Sequence, residues 1–268
     1  MKKIALIVIL ILFVSIFLGA DVYTKSVERV KAFELMGKKQ PETLQMKDRW
    51  YGKNKYAEIG KDFNMIIDLD KEKMFLVVHE AKVYFEVPTN LDGNNLLDFV
   101  MMLSPKVAEV VKSIKITDAK VSLEGETKKI ANWECTASEF EMIFMIPAMN
   151  MMPKFKMRMW ITQDLPKEYE DHSDMGALFM KHVMGTLNID EKSQKEMAKL
   201  EDVEGFQIAA EISLEIFGSQ INVESQTLEV MEKSPPPGIY SVPKGYTKKD
   251  IDFIKEQIKQ IPNGHTAH

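Results

Sequence analysis

Seven methionines lie within the eighteen residues from Met142 to Met159, out of 19 in the whole chain of 268 residues. Thioether side chains are flexible and polarisable and adapt to irregular apolar shapes, and their sulfur atoms select Cu(I) among metals. Met149, Met151 and Met152 crowd a segment bounded by Pro147 and Pro153, which we predict to be a hairpin tip. Three interpretations stay open for this tip, namely core packing, contact with a lipid, ligand or partner, and Cu(I) binding.

The remaining reactive residues form no catalytic pattern. The five histidines are scattered, and the carboxylates of the segment 68–72 lack the central glycine and the glutamate at position twelve of a calcium loop. Cys135 lies in a predicted strand, where a buried and inert thiol is expected. No nucleophile elbow, P-loop or dinucleotide-binding glycine motif occurs. We therefore predict a protein that is not an enzyme, and we assign no catalytic residue, cofactor or metal site.

The first twenty residues have the order of an export signal. Lys2 and Lys3 precede an uncharged segment from Ile4 to Leu18, and Ala20 fits the residue before a cleavage site. We predict a Sec-type signal peptide over residues 1–20 that is either removed or retained as an N-terminal anchor. The predicted location is extracytoplasmic and periplasmic. No cysteine lies near the junction, which excludes an acylated lipoprotein.

The charge balance and the cysteine count limit the kinds of partner and of stabilising bond that the chain can have. The chain has 35 basic and 40 acidic residues and a formal net charge of −5, which argues against a nucleic-acid partner. A single cysteine cannot form an internal disulfide, so stability must come from packing. The oligomeric state does not follow from the sequence.

Short β-branched and aromatic runs joined by polar turns predict an antiparallel meander over residues 21–87. Strands are also predicted over 129–146 and 155–162, and a final hairpin over 206–231 turns at Gly218-Ser219. Helical spacing predicts insertions at 91–114 and 167–201, and four isoleucines predict a C-terminal amphipathic helix. We expect an α+β fold in which one β-rich domain, residues 21–268, has helices that cover its sheet.

Several stretches of the chain resemble an uncharacterised family of exported bacterial domains. They include Lys47–Tyr56, Asn64–Asp68, Lys129–Cys135, Trp160–Leu165 and Tyr240–Tyr246. The chain differs from the family pattern at Asn132, where a glycine is expected, and at Gln207, where a proline is expected. The layout is similar to that of the LolA/LolB-like lipoprotein carriers. This resemblance implies a curved antiparallel sheet, an open half-barrel, with helices on its concave side and lipid held between them.

The leading hypothesis is that the protein binds a hydrophobic ligand, a lipid or a lipidated partner in a cavity lined by the sheet. Because side chains alternate between the two faces of a strand, only part of the candidate lining set can face inward. That set comprises Met101, Met102, Met142, Phe144, Ile146, Met157, Met159 and Trp160. The alternatives are a structural or partner-binding module of the cell envelope with a filled core, and a copper-binding protein that uses Met149, Met151 and Met152. Contact of the tip or the C-terminal helix with a membrane surface is a further expectation.

Overall fold

A computed structural model describes residues 21–35, 37–88, 113–123, 125–166, 169 and 188–249. These residues form sixteen strands and one α-helix, α1 (Glu191–Ala198). The strands of the N-terminal half are β1 (Asp21–Val30), β2 (Phe33–Leu35), β3 (Lys38–Gln40), β4 (Thr43–Gly52), β5 (Lys55–Ile59), β6 (Phe63–Asp68), β7 (Lys73–Val78) and β8 (Val83–Pro88). The others are β9 (Lys115–Ser122), β10 (Thr127–Ile130), β11 (Trp133–Met145), β12 (Lys154–Thr162), β13 (Asn188–Ile189), β14 (Phe206–Ile216), β15 (Ser219–Lys233) and β16 (Thr247–Lys248).

Fourteen of these strands join in a single large sheet, whose order is β13-β9-β11-β12-β14-β15-β1-β4-β5-β6-β7-β8-β16, with β10 paired to β11. All of its pairs are antiparallel except β13 with β9 and β16 with β8 at the two ends. Within the described part of the chain the two end strands do not pair with each other, so the sheet is open. The predicted large antiparallel sheet is confirmed.

Three irregularities interrupt the register of the sheet, between β9 and β11, between β12 and β14, and between β15 and β1. The register shifts between Lys25 and Ser26 of β1, between Ile143 and Phe144 of β11, and between Trp160 and Ile161 of β12. An extra residue on one strand of a pair increases the local right-handed twist and bends the strand. The unpaired residues are Thr117 of β9, Ile208 of β14 and Leu228 of β15, so these bulges give the large sheet curvature without closing it.

The predicted continuous strand over 129–146 is wrong in one respect. It is broken at Ala131-Asn132, which forms the turn of a separate hairpin between β10 and β11. Ala131 has φ of +52° in this turn, a conformation that alanine adopts rarely. The final hairpin turns at Phe217-Gly218, one residue earlier than predicted.

One predicted helical segment is described in part. Helix α1 begins at an N-cap, because the Asp190 carboxylate accepts a hydrogen bond from the Ser193 N–H at 2.8 Å. The predicted insertion at 91–114, except for its last two residues, most of the segment 167–187, the signal segment and the C-terminal amphipathic helix lie outside the described residues. No helix that the structure describes has the length and apolar character needed to cross a bilayer.

Different segments of the chain pack on the two faces of the sheet. On the face that we call the helix face, Met197 of α1 and Leu200 of the following turn pack against a cluster containing Phe140 and Met142. On the outer face, a C-terminal segment, residues 234–249, packs over Trp50 and Ile66. We call this segment the arm. The Tyr240 hydroxyl donates a hydrogen bond to the Asp21 carboxylate, and Lys248 pairs with Glu86, so the arm joins the two ends of the described chain.

Candidate functional site

The helix face can be followed across the sheet because directly opposed residues of neighbouring strands lie on the same face. One row runs through Ser138, Met159, Ala210, Ser225 and Glu28. A neighbouring row runs through Thr24, Arg49, Glu58, Met65, Leu76 and Phe85. The helix face is therefore apolar at both ends of the strand order and charged in between.

The first apolar region consists of Phe140, Met142, Phe155, Met157 and Met159, and we call it the methionine strip. Phe140 and Met142 are buried, whereas the other three side chains are half-buried. Cross-strand pairing places Met157 opposite Phe140, and Met142 opposite Phe155. Met159 lies between two small residues, Ser138 and Ala210. Its flexible thioether is thus flanked by side chains that do not extend as far from the sheet.

The structure divides the predicted lining set. Met142, Met157 and Met159 share the helix face, and Phe144 packs against the same cluster. Trp160 follows Met159 in β12 and is opposed by Ala137 and Ala209, so it faces the other side of the sheet. Trp160 is therefore excluded from this lining. The reason is that both faces are apolar at the end of β12, so hydrophobicity alone does not select the side.

On the outer face the indole of Trp160 contacts two charged side chains. Its Nε1–H donates to Oε1 of Glu211 at 3.1 Å, and the Lys128 ammonium lies 3.6 Å from its ring centroid. Ile146 forms an isolated bridge with Met151 at the base of the tip and is buried there. Met101 and Met102 lie outside the described residues.

At the centre of the helix face four ionised side chains form a continuous network, which we call the charged belt. Lys47 Nζ donates to Oε2 of Glu28 at 2.9 Å and lies 3.1 Å from Oε1 of Glu58. Arg49 Nε donates to Oε2 of Glu58 at 2.8 Å, and its Nη1 donates to the Ser26 hydroxyl at 2.9 Å. The side chains of Lys47 and Glu58 are only 12% and 10% exposed. The belt has two positive and two negative charges and is neutral as a unit.

Burial and neighbouring charges shift the pKa values in the belt. Burial alone would raise the pKa of Glu58, but the charge and hydrogen bond of Arg49, together with Lys47, outweigh it and lower that pKa. Burial raises the pKa of Tyr56, whose hydroxyl donates to Oε2 of Glu58 at 3.2 Å. Burial likewise raises the pKa of Tyr51. At neutral pH Glu58 is therefore a carboxylate, whereas Tyr51 and Tyr56 are neutral phenols.

Sequence reasoning missed the belt, although part of its signal is present. Lys47, Arg49 and Tyr51 alternate along β4 and so point to one face. Their partners come from β1 and β5, and Glu28 lies nineteen residues from Lys47. The pairing of these strands, and with it the network, follows only from the register of the sheet.

The methionine tip lies where the hairpin was predicted, between β11 and β12. Met149 and Met152 are exposed and Met151 is half-buried, so core packing does not account for the first two. Across the described ranges no cluster of three or more histidine, cysteine, aspartate or glutamate side chains could hold a metal ion. Binding of Cu(I) by thioethers stays a prediction.

The outer face has a cavity lined in part by charged side chains, and a histidine with two hydrogen-bond partners. A cavity of about 450 Å³ opens there between β11, β12 and the β14–β15 hairpin, and its lining includes Glu141, Lys154, Lys156 and Glu215. Ile143 and Phe155 also belong to its lining, which is therefore partly charged and partly apolar. On the same face His79 is bound through both ring nitrogens, to the Tyr246 hydroxyl and to Oδ1 of Asn64, each at 2.8 Å. Cys135 is buried as expected, and burial raises the pKa of its thiol.

No protein-family model matches the chain, and no curated protein matches it. Among solved structures, it is similar to PNGF-II in space group C2 with a TM-score of 0.34 and 11% identity, over 88% of this chain and 33% of that one. It is also similar to a DUF1329 family protein from Desulfovibrio piger with a TM-score of 0.32 and 6% identity, over 86% of this chain and 92% of that one. The chain thus spans about a third of the PNGF-II chain. At TM-scores below 0.5 neither likeness carries an argument about fold or function.

Proposed function

We propose that the protein is a non-enzymatic, extracytoplasmic carrier that binds an amphipathic lipid, or a lipidated partner, along the helix face of its sheet. The observation that carries the proposal is the order of side chains on that face, where the apolar methionine strip of β11 and β12 is followed, beyond β14 and β15, by the charged belt. An amphiphile has the same order of parts. Its chain would lie on the strip and its polar group would reach the belt.

The methionine strip suits an acyl chain for physical reasons. Burial of each methylene of a chain contributes roughly 0.8 kcal/mol, and unbranched thioether side chains adapt to chains of varying position. Met157 and Met159 are half-buried, so further burial by a ligand is available to them. Phe155, which is half-buried beside Met142, extends the same surface.

The charged belt suits a polar group that both donates and accepts hydrogen bonds. Arg49 and Lys47 offer N–H donors, and Glu28 and Glu58 offer acceptors, within a unit of zero net charge. A group with a single uncompensated charge would meet equal numbers of like and opposite charges there. Neutral and zwitterionic headgroups are therefore favoured over strongly anionic ones.

The predicted export signal in residues 1–20 and the half-barrel resemblance to LolA/LolB-like carriers fit this proposal, since both are features of proteins that act outside the cytoplasm. Three bulges bend the open sheet, as a half-barrel requires. The resemblance is an argument from fold and is weaker than the arrangement of side chains.

Replacement of Met159 by glutamine tests the proposal, because glutamine has a similar length but a polar end that an acyl chain leaves without a hydrogen bond. We expect Met159→Gln to weaken binding of lysophosphatidylcholine about tenfold, from the cost of burying an unpaired amide. Titration with a fluorescent lysophospholipid, supported by native mass spectrometry of the complex, provides the measurement.

The matched control is Met46→Gln, which changes an exposed methionine on the outer face, opposite Val27. The control should bind lipid as the unaltered protein does. The proposal fails if the unaltered protein takes up no lipid, or if the two substitutions weaken binding equally.

A structural module with a filled core is the second candidate. The packing of Met197 and Leu200 against Phe140 and Met142 favours it, because α1 already covers that end of the methionine strip. On this account lipid does not bind, and Met159→Gln changes only stability. The same titration therefore separates the two candidates.

A further inference from the structure

Two hairpin tips meet at one end of the sheet. The first is the methionine tip between β11 and β12, and the second is the two-residue turn Phe217-Gly218 between β14 and β15. Residues from both tips, including Met152 and Phe217, surround a small depression of about 210 Å³. The two tips thus form one continuous surface, which we call the tip surface.

The tip surface is apolar and exposed. Met149, Met152 and Phe217 are 47%, 61% and 44% exposed. No charged residue occurs in the segments 146–153 and 216–219. Hairpin turns normally consist of polar residues or glycine, so two charge-free apolar turns side by side require an explanation.

Phe217 is also held in an unfavourable backbone conformation. Its φ is +54°, and that of Gly218 is +73°, as in a type I′ turn, where both central residues have positive φ and Asn-Gly is preferred. A bulky residue in the left-handed region is strained. Such strain is concentrated at functional positions, although ordinary turns of this chain also have positive φ, as at Lys82 and Ala131. The strain at Phe217 is consistent with a role of its phenyl ring outside the fold, and its exposure gives that role a surface.

The size and charge of the tip surface decide which partner it fits. Three exposed side chains cover a few hundred Å², well below the roughly 600 Å² per partner of even a small stable protein interface. The flanking charges are balanced, because Lys154 and Glu215 lie 3.7 Å apart. Protruding apolar turns without a basic surround match the interface of a lipid bilayer, where Phe and Met side chains enter the boundary between headgroups and chains.

We propose that the tip surface inserts into the interface of a lipid bilayer through Phe217, Met149 and Met152. Ser219 and Lys233 are the two ends of β15, and Lys233 pairs with Asp21. At 3.4 Å per residue the tips therefore lie roughly 45 Å from the end of the sheet where β1 begins. The tip surface thus lies at the opposite end of β15 from Asp21, and the proposed contact does not depend on lipid binding on the helix face.

The test uses the full chain and phosphatidylcholine vesicles. Phe217→Trp places a fluorophore in the tip surface, and lipids brominated at different depths quench a tryptophan that enters the bilayer. We expect quenching that is strongest for shallow bromines and that changes little with salt or with added anionic lipid. If brominated lipids quench Phe217→Trp no more than they quench the unaltered protein, the proposal is overturned, however much protein binds to the vesicles.

Phe217→Asn provides a second test, in which misfolding cannot account for a loss of vesicle binding. Asparagine tolerates positive φ and completes a favoured Asn-Gly turn, so the melting temperature should rise or stay the same. In the background of Met149→Ser and Met152→Ser, we expect Phe217→Asn to abolish the part of vesicle binding that depends on insertion. The affinity for vesicles should fall at least about tenfold. Leu44→Ser, which changes another exposed apolar residue, is the control and should leave binding unchanged.

A second copy of the chain is the competing partner. It would appear as a concentration-dependent dimer in light scattering that Phe217→Asn dissolves, with no quenching by brominated lipid. That result would refute bilayer insertion. Because vesicle quenching does not involve the helix face, failure here leaves the lipid-carrier proposal standing, and failure of lipid uptake leaves this one standing.

Discussion

Glu58→Gln is expected to destabilise the protein by about 2–3 kcal/mol at pH 7. The substitution removes the negative charge that pairs with both Arg49 and Lys47, so the Arg49 guanidinium keeps only neutral acceptors, the introduced amide oxygen and the Ser26 hydroxyl. Loss of one member of a buried ion pair costs about 3–5 kcal/mol, and the 22% exposure of Arg49 reduces that cost. Urea unfolding monitored by tryptophan fluorescence measures the change.

The control for this prediction is an exposed ion pair in α1. Lys195 and Glu191 are more than 70% exposed and lie 2.7 Å apart, so Glu191→Gln should change stability by less than about 0.5 kcal/mol. A double-mutant cycle with Arg49→Met adds a second check. The double substitution should cost less than the sum of the two single ones, because it leaves no uncompensated charge between the two positions. Strict additivity would mean that the belt is not a coupled network.

The pH dependence of this effect has a definite sign. The pKa of Glu58 is lower in the folded protein than in the unfolded chain, so the unfolded state binds a proton first as the pH falls. The stability that Glu58 contributes is therefore fully present above its unfolded pKa of about 4.3 and is lost as the pH falls through the folded value. We expect the difference in stability between the unaltered protein and Glu58→Gln to shrink as the pH is lowered from 7 towards 3.

Trp160→Ala is expected to have the largest effect on stability, about 3–5 kcal/mol. The ring is 1% exposed and lies between Ala137 and Ala209 on the neighbouring strands. Alanine would leave a cavity, because neither small neighbour can fill it, and truncation of a buried aromatic residue costs about this much. It would also remove the ring over which Lys128 lies and the N–H that binds Glu211.

Trp160→Phe separates stability from ligand binding. Phenylalanine keeps most of the apolar volume, so this variant folds for binding measurements. Because Trp160 faces away from the methionine strip, we expect its affinity for lysophosphatidylcholine to equal that of the unaltered protein, while Met159→Gln binds about tenfold more weakly. Equal losses in both variants would show that the register on which the helix face is defined is wrong.

Hydrophobic patterning predicted much of this fold. The β6–β7–β8 meander, the β11–β12 hairpin and α1 all lie within a few residues of their predicted positions, because period-two and period-3.6 patterns persist in those segments. The break at Ala131-Asn132 was not predictable, because the residue with positive φ is Ala131, and alanine adopts that conformation rarely. The methionine tip was predictable because proline residues bound it.

The site was less accessible from sequence. Met157 and Met159 alternate and share a face, but only the pairing partners show which face carries α1. The charged belt combines residues of three strands, and Glu28 meets Lys47 only through the pairing of β1 with β4, which local patterns do not predict. The exposed Phe217 was missed because the turn was placed one residue later, which put this residue in neither strand nor turn.

Methyl resonances of the methionines offer the most direct test of the central claim, that an amphiphile binds along the helix face. The protein would be labelled with [¹³C-methyl]methionine and titrated with lysophosphatidylcholine below its micellar concentration, with single Met→Leu variants used for assignment. We expect the resonances of Met157 and Met159 to shift in a saturable manner while those of Met46 and Met231, on the outer face, stay in place. Saturating lipid that leaves Met157 and Met159 unchanged would contradict the claim.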